Sequence, residues 1–81
     1  MTSKKFINQC RDMIVAYAHD SFTVEDVLLL GYNSCNNFMQ GIFLVEKGSK
    51  LLFVIEYDMA RYTITVYNQM DKKEILINNA W

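Results

Sequence analysis

Residues 38–68 read FMQGIFLVEKGSKLLFVIEYDMARYTITVYN, and the alternation within this stretch decides the fold. Apolar and β-branched residues recur there with period two, the repeat of a strand with one buried side. Runs at 38–46, 50–57 and 62–68 are broken by turn-like stretches at Lys47-Gly48 and at 58–61. A fourth run, 73–77, follows a further break at 69–72. Loops this short join antiparallel neighbours, so the expected sheet is a four-stranded meander.

A register for that sheet can be tested by the faces it produces, because a slip of one residue exchanges them. Pairing Val45 with Lys50, Tyr57 with Tyr62 and Asn68 with Lys73 gathers one set of side chains on a single face. That set is Ile42, Leu44, Leu51, Phe53, Ile55, Tyr57, Tyr62, Ile64, Val66, Ile75 and Ile77, every member apolar or tyrosine. The opposite face then carries Phe43, Leu52, Val54, Tyr67 and Leu76 at its middle. Lys50, Glu56, Thr63, Thr65 and Glu74 surround them. A solvated antiparallel face is normally polar at most positions, so this second face is expected to be partly covered.

Upstream of the strands, Phe6, Cys10, Met13, Ile14 and Tyr17 recur at helical spacing and predict an amphipathic helix over residues 3–19, with Ser3 as N-cap. Thr23-Val24-Glu25-Asp26 resembles a helix start, with acids at the positive end of the dipole. Gly31 is placed to close that helix as a left-handed C′ residue. The sequence therefore predicts a short second helix over 24–30, with an apolar strand as its rival. The expected fold is a single α+β domain over 1–81, the first helix lying across the apolar face of the meander.

Eighty-one residues allow one domain, and 52% hydrophobic content is too high for disorder. Eight basic and nine acidic residues give a net charge of −1, which argues against a module working by phosphate neutralisation. The longest strictly apolar run, 51–55, is far below the ~20 residues a membrane helix needs. The N-terminus shows no signal-peptide pattern, and the two cysteines, Cys10 and Cys35, are expected to be reduced. The expectation is a cytoplasmic protein with no membrane partner.

No catalytic or metal-binding constellation stands out, and none is assigned. His19 is the only histidine, and Cys10 lies about 13.5 Å from it along a straight helix, too far for a dyad. The cysteine and histidine spacings fit no zinc site, and Asp20, Glu25 and Asp26 lack the ligand series of a calcium loop. Neither glycine-rich phosphate-loop pattern occurs, so no cofactor is expected. Asp58, Met59 and Arg61, beside Tyr57, Tyr62 and Tyr67, have the composition of docking surfaces. Arg61 is an expected cross-turn partner of Glu56 and Asp58. Trp81 reads equally well as a core plug or an exposed anchor.

These observations lead to an expected non-enzymatic protein-binding domain. It would act by occupying a partner's surface through Phe43, Leu52, Val54, Tyr67, Leu76, Asp58, Met59 and Arg61. The partner would be another protein or a second copy in a homodimer. Small size, lack of cofactors and Asn, Ile, Lys and Tyr usage suited to an AT-rich genome suggest a more specific version. That version is a phage or mobile-element inhibitor of a host complex, of the anti-defence type. The alternative is a winged-helix-like DNA-binding regulator, which requires helix rather than strand over 34–44. Nucleic acid is the less favoured partner because Lys4, Lys5, Arg11, Lys47 and Lys50 are sparse.

Overall fold

The computed structural model describes residues 2–18, 22–47, 49–68 and 72–76. One helix packs on one side of a five-stranded antiparallel sheet, an α+β arrangement with the strands in meander order. The elements are α1 (Ser3–Ala18), β1 (Val27–Cys35), β2 (Phe38–Lys47), β3 (Ser49–Asp58), β4 (Thr63–Asn68) and β5 (Lys72–Leu76). The sheet order is β1-β2-β3-β4-β5, so β1 and β5 are its edges.

The helix forms where its apolar stripe predicts. Phe6, Cys10 and Ile14, four residues apart, are completely buried. Its cap is Thr2, one residue earlier than expected: the Lys5 amide donates to Thr2 Oγ1 at 3.2 Å, and the Phe6 amide to the Thr2 carbonyl. His19, Asp20, Gly48, Ile77 and Trp81 lie outside the described residues.

The second helix is not formed. Its start signal is satisfied by a single 3₁₀ turn, Val24–Asp26, in which the Asp26 carboxylate accepts from the Thr23 amide at 2.9 Å. The chain then enters β1, the strand that the sequence held only as a rival. Four consecutive apolar residues, Val27 to Leu30, carry no helical period, and pairing with β2 satisfies their backbone. The sheet consequently has five strands rather than four. Residues 34–44 form the end of β1, a two-residue turn and the first seven residues of β2. The winged-helix reading, which requires a recognition helix there, therefore loses its structural basis. Asn36 occupies the tight β1–β2 turn with φ 54°, a left-handed conformation that asparagine tolerates.

The register corrects one face assignment. β2 pairs with β3 through Glu46↔Lys50 and Val45↔Leu51, one residue away from the expected hairpin. That single step inverts β2: Phe43 and Val45 point to the helix, and Ile42 and Leu44 point away. The β3–β4 and β4–β5 pairings differ from expectation by two residues, as in Tyr57↔Ile64 and Thr65↔Glu74, which preserves the faces. Phe53, Ile55, Tyr57, Ile64 and Val66 are buried as expected. Tyr62, expected on the core face, instead sits exposed in the β3–β4 turn at φ 52°.

Between α1 and the sheet, Phe6, Cys10 and Ile14 meet Phe43, Val45, Phe53, Ile55, Ile64 and Val66. Each fully buried side chain of this size contributes roughly 1.5–3 kcal/mol of burial. Gly41 lets the layers approach: a Cβ there would stand 2.5 Å from Phe43 Cε2 and 2.9 Å from Cζ. The Phe43 ring thus occupies the space that a side chain at position 41 would fill. Arg11 ties helix to sheet by donating from Nε to the Val27 carbonyl at 3.2 Å.

Candidate functional site

Directly opposed residues of antiparallel strands share a face, so the register defines the side of the sheet away from α1. Its centre consists of two apolar rows. One runs Leu28–Leu44–Leu52 across β1, β2 and β3; the next runs Ile42–Val54–Tyr67 across β2, β3 and β4. Leu28 is 49% exposed and Leu52 36%, and the other four are half-buried. At 4.8 Å between strands, the two rows together extend about 14 Å across the sheet.

Polar rows bracket this patch. On one side stand Glu46 and Lys50, both exposed and directly paired in register. On the other, Gln40 Nε2 donates to Glu56 Oε2 at 2.9 Å, and Thr65 pairs with Glu56 across the next strand. Beyond them Phe38, Asp58 and Thr63 form the last row before the turns. An apolar centre with a polar rim is the anatomy of a docking surface.

The eight expected contact residues divide. Leu52, Val54 and Tyr67 lie together in the patch, as the sequence indicates. Phe43 does not belong to it: inverted with the rest of β2, it is completely buried beneath α1. The residues missed in its place are Ile42 and Leu44, along with Leu28 from the unanticipated strand. Leu76 stands opposite Thr63 in β5, and its side chain lies outside the described residues.

Asp58 has a local task, its Oδ1 accepting from the amides of Ala60 and Arg61 at 3.1 and 3.2 Å to shape the turn. The Asp58–Arg61 contact thus runs through the Arg61 backbone amide. Met59 is half-buried against the core, and its amide donates to the Asn37 carbonyl at 2.7 Å. Arg61 is exposed. These three residues lie at the turn end of the sheet, beyond the Gln40–Glu56 row.

The remaining chemistry-bearing residues are dispersed. Burial pushes the Cys10 thiol well above its ordinary value, because a thiolate would be unsolvated in the core. Cys35 is a free, exposed thiol at the end of β1. Among the described residues no three His, Cys, Asp or Glu side chains gather as a metal site would require. A shallow crevice of about 360 Å³ lies between α1 and the 3₁₀ turn, with Asn8, Arg11, Asp12 and Glu25 in its walls. Among the described residues no helix is long and apolar enough to cross a membrane.

Compared with known protein families, curated proteins and solved structures, the chain matches none.

Proposed function

We propose that this chain is a non-enzymatic protein-binding domain that acts by occupying a partner's surface with the open face of its sheet. The observation that carries this reading is the pair of apolar rows, Leu28–Leu44–Leu52 and Ile42–Val54–Tyr67, left uncovered by α1 and rimmed by polar side chains. Covering such a patch removes apolar surface from water at roughly 25 cal/mol per Å², while the rim sets orientation. Small size and AT-rich-type residue usage support placing it among phage or mobile-element modulators of host complexes.

The test is recovery of bound proteins from the native host by the wild type and by Leu52→Asp. The charge sits on an exposed position, so the variant should keep its circular dichroism and urea midpoint while losing the partner. Retention of the same partner at the same affinity would overturn the reading.

A further inference from the structure

The edge strand β1 has the reverse of the usual protection. Free edges normally carry charges or proline that discourage pairing with another chain. From Val27 to Cys35 there is no charged residue, and the whole chain has no proline. Leu28, Leu29, Leu30 and Tyr32 are all exposed along it, Leu30 the most at 56%.

Gly31 is the second anomaly. Glycine weakens a strand and often marks a bulge, a tight bend or a close approach, and Gly31 adjoins the irregularity after Leu29. Here a Cβ would meet only Ile42 Cδ1, at an ordinary 3.8 Å, and the backbone is not in the left-handed region. Neither the space around this position nor its φ excludes a larger residue, so among the described residues only the adjoining bulge favours glycine here.

The bulge supplies a third observation. β1 steps from Leu29, opposite Phe43, to Gly31, opposite Ile42, leaving Leu30 as the extra residue. The alternation inverts there, so Val27, Leu29 and Tyr32 share the helix side, and Tyr32 packs against Phe6 with ring centroids 5.9 Å apart and planes tilted by 54°. Leu28 and Asn33 share the open side.

From these features we infer that β1 is the pairing edge for a second copy of this chain, antiparallel about a two-fold axis between Leu30 and Gly31. In that register Val27 faces Ser34 of the other copy, Leu28 faces Asn33, Leu29 faces Tyr32, and Leu30 faces Gly31. Every pair away from the bulge joins residues of the same sheet face, and no other face-preserving register across the bulge pairs as many residues. A shift by one would set the open-side residues of one copy against the helix-side residues of the other. Leu30, the most exposed residue of the apolar run 27–30, lies over Gly31 of the other copy, where the missing side chain leaves room. No like charges meet, because the strand has none. The product is a continuous ten-stranded sheet with the two docking patches on the same side. This inference does not depend on the proposed function.

Sedimentation equilibrium of the full chain from about 1 to about 100 µM should show a concentration-dependent shift to twice the 9.5 kDa chain mass. Gly31→Val and Leu30→Lys should each weaken the dimer at least tenfold, with unchanged circular dichroism. In a Cys35→Ser background, chains carrying Leu28→Cys and Asn33→Cys should form an oxidised heterodimer when mixed, and neither should cross-link alone. A monomer throughout, a dimer indifferent to Gly31→Val and Leu30→Lys, or self-linking of the Leu28→Cys chain would each overturn the inference. A monomer that still loses its partner on Leu52→Asp would leave the docking patch standing.

Discussion

Phe53, Ile55 and Tyr57 face α1 and are nearly inaccessible, whereas Leu52, Val54 and Glu56, on the same strand, face the open side and are half-buried or exposed. Leu52 is as apolar as its neighbour Phe53, so hydrophobicity alone does not choose the core side. The choice is made by where the helical stripe Phe6–Cys10–Ile14 lies. A strand apolar on both sides thus has one face that stabilises the fold and another that α1 leaves uncovered.

The sharpest way to break this contrast is to place the same charge on each side. Phe53→Asp should unfold the domain, because a buried unpaired carboxylate costs several kcal/mol of a small margin. Leu52→Asp should change stability by about 0.5 kcal/mol or less. Urea denaturation of the two variants measures the difference, and similar midpoints would refute the face assignment. A smaller contrast separates the glycines. Gly41→Ala should cost about 1–3 kcal/mol, since the Phe43 ring must move. Gly31→Ala should be neutral or slightly stabilising in the monomer, as reduced unfolded-state freedom predicts.

Cys10 gives the core a pH signature that the open face lacks. The unfolded thiol loses its proton above its ordinary value of 9.0, while the folded one keeps it. The unfolded state then binds fewer protons, so stability falls as pH rises through the alkaline range, by up to about 1.4 kcal/mol per unit. Cys10→Ala should remove that component of the slope in alkaline urea titrations, whatever its effect at neutral pH. A further small effect belongs to the β3–β4 turn. Tyr62 holds φ 52° while exposed, so Tyr62→Gly should raise stability by only about 0.5 kcal/mol in thermal melts, relief of left-handed strain being partly offset by glycine's greater freedom in the unfolded chain.

Legibility in the sequence followed the strength of the alternation. β4 is readable because Thr63 and Thr65 alternate with Ile64 and Val66; β3, apolar throughout 51–55, takes its phase from Glu56, Tyr57 and Asp58, and a two-residue error in pairing leaves faces unchanged. β2 was not readable, because Ile42 to Val45 are apolar at all four positions and carry no phase. Only the hairpin geometry sets it, and Glu46↔Lys50 instead of Val45↔Lys50 exchanges Phe43 with Leu44. β1 was hidden by real helix chemistry at Thr23 and Asp26 that extends for a single turn. The apolar rows of the open face are therefore half visible in the sequence: the placement of Leu52, Val54 and Tyr67 on one face is legible, and that of Leu28, Ile42 and Leu44 needs the register.

The meander order has a kinetic consequence. Each strand pairs with the next in the chain, so the sheet assembles from successive hairpins, each closing on a scale of ~1–10 µs. The Met59–Asn37 backbone bond clamps the β1–β2 turn against the β3–β4 turn. If α1 settles onto the sheet only after the folding transition state, truncating Phe6 or Ile14 should accelerate unfolding more than it retards refolding in stopped-flow measurements.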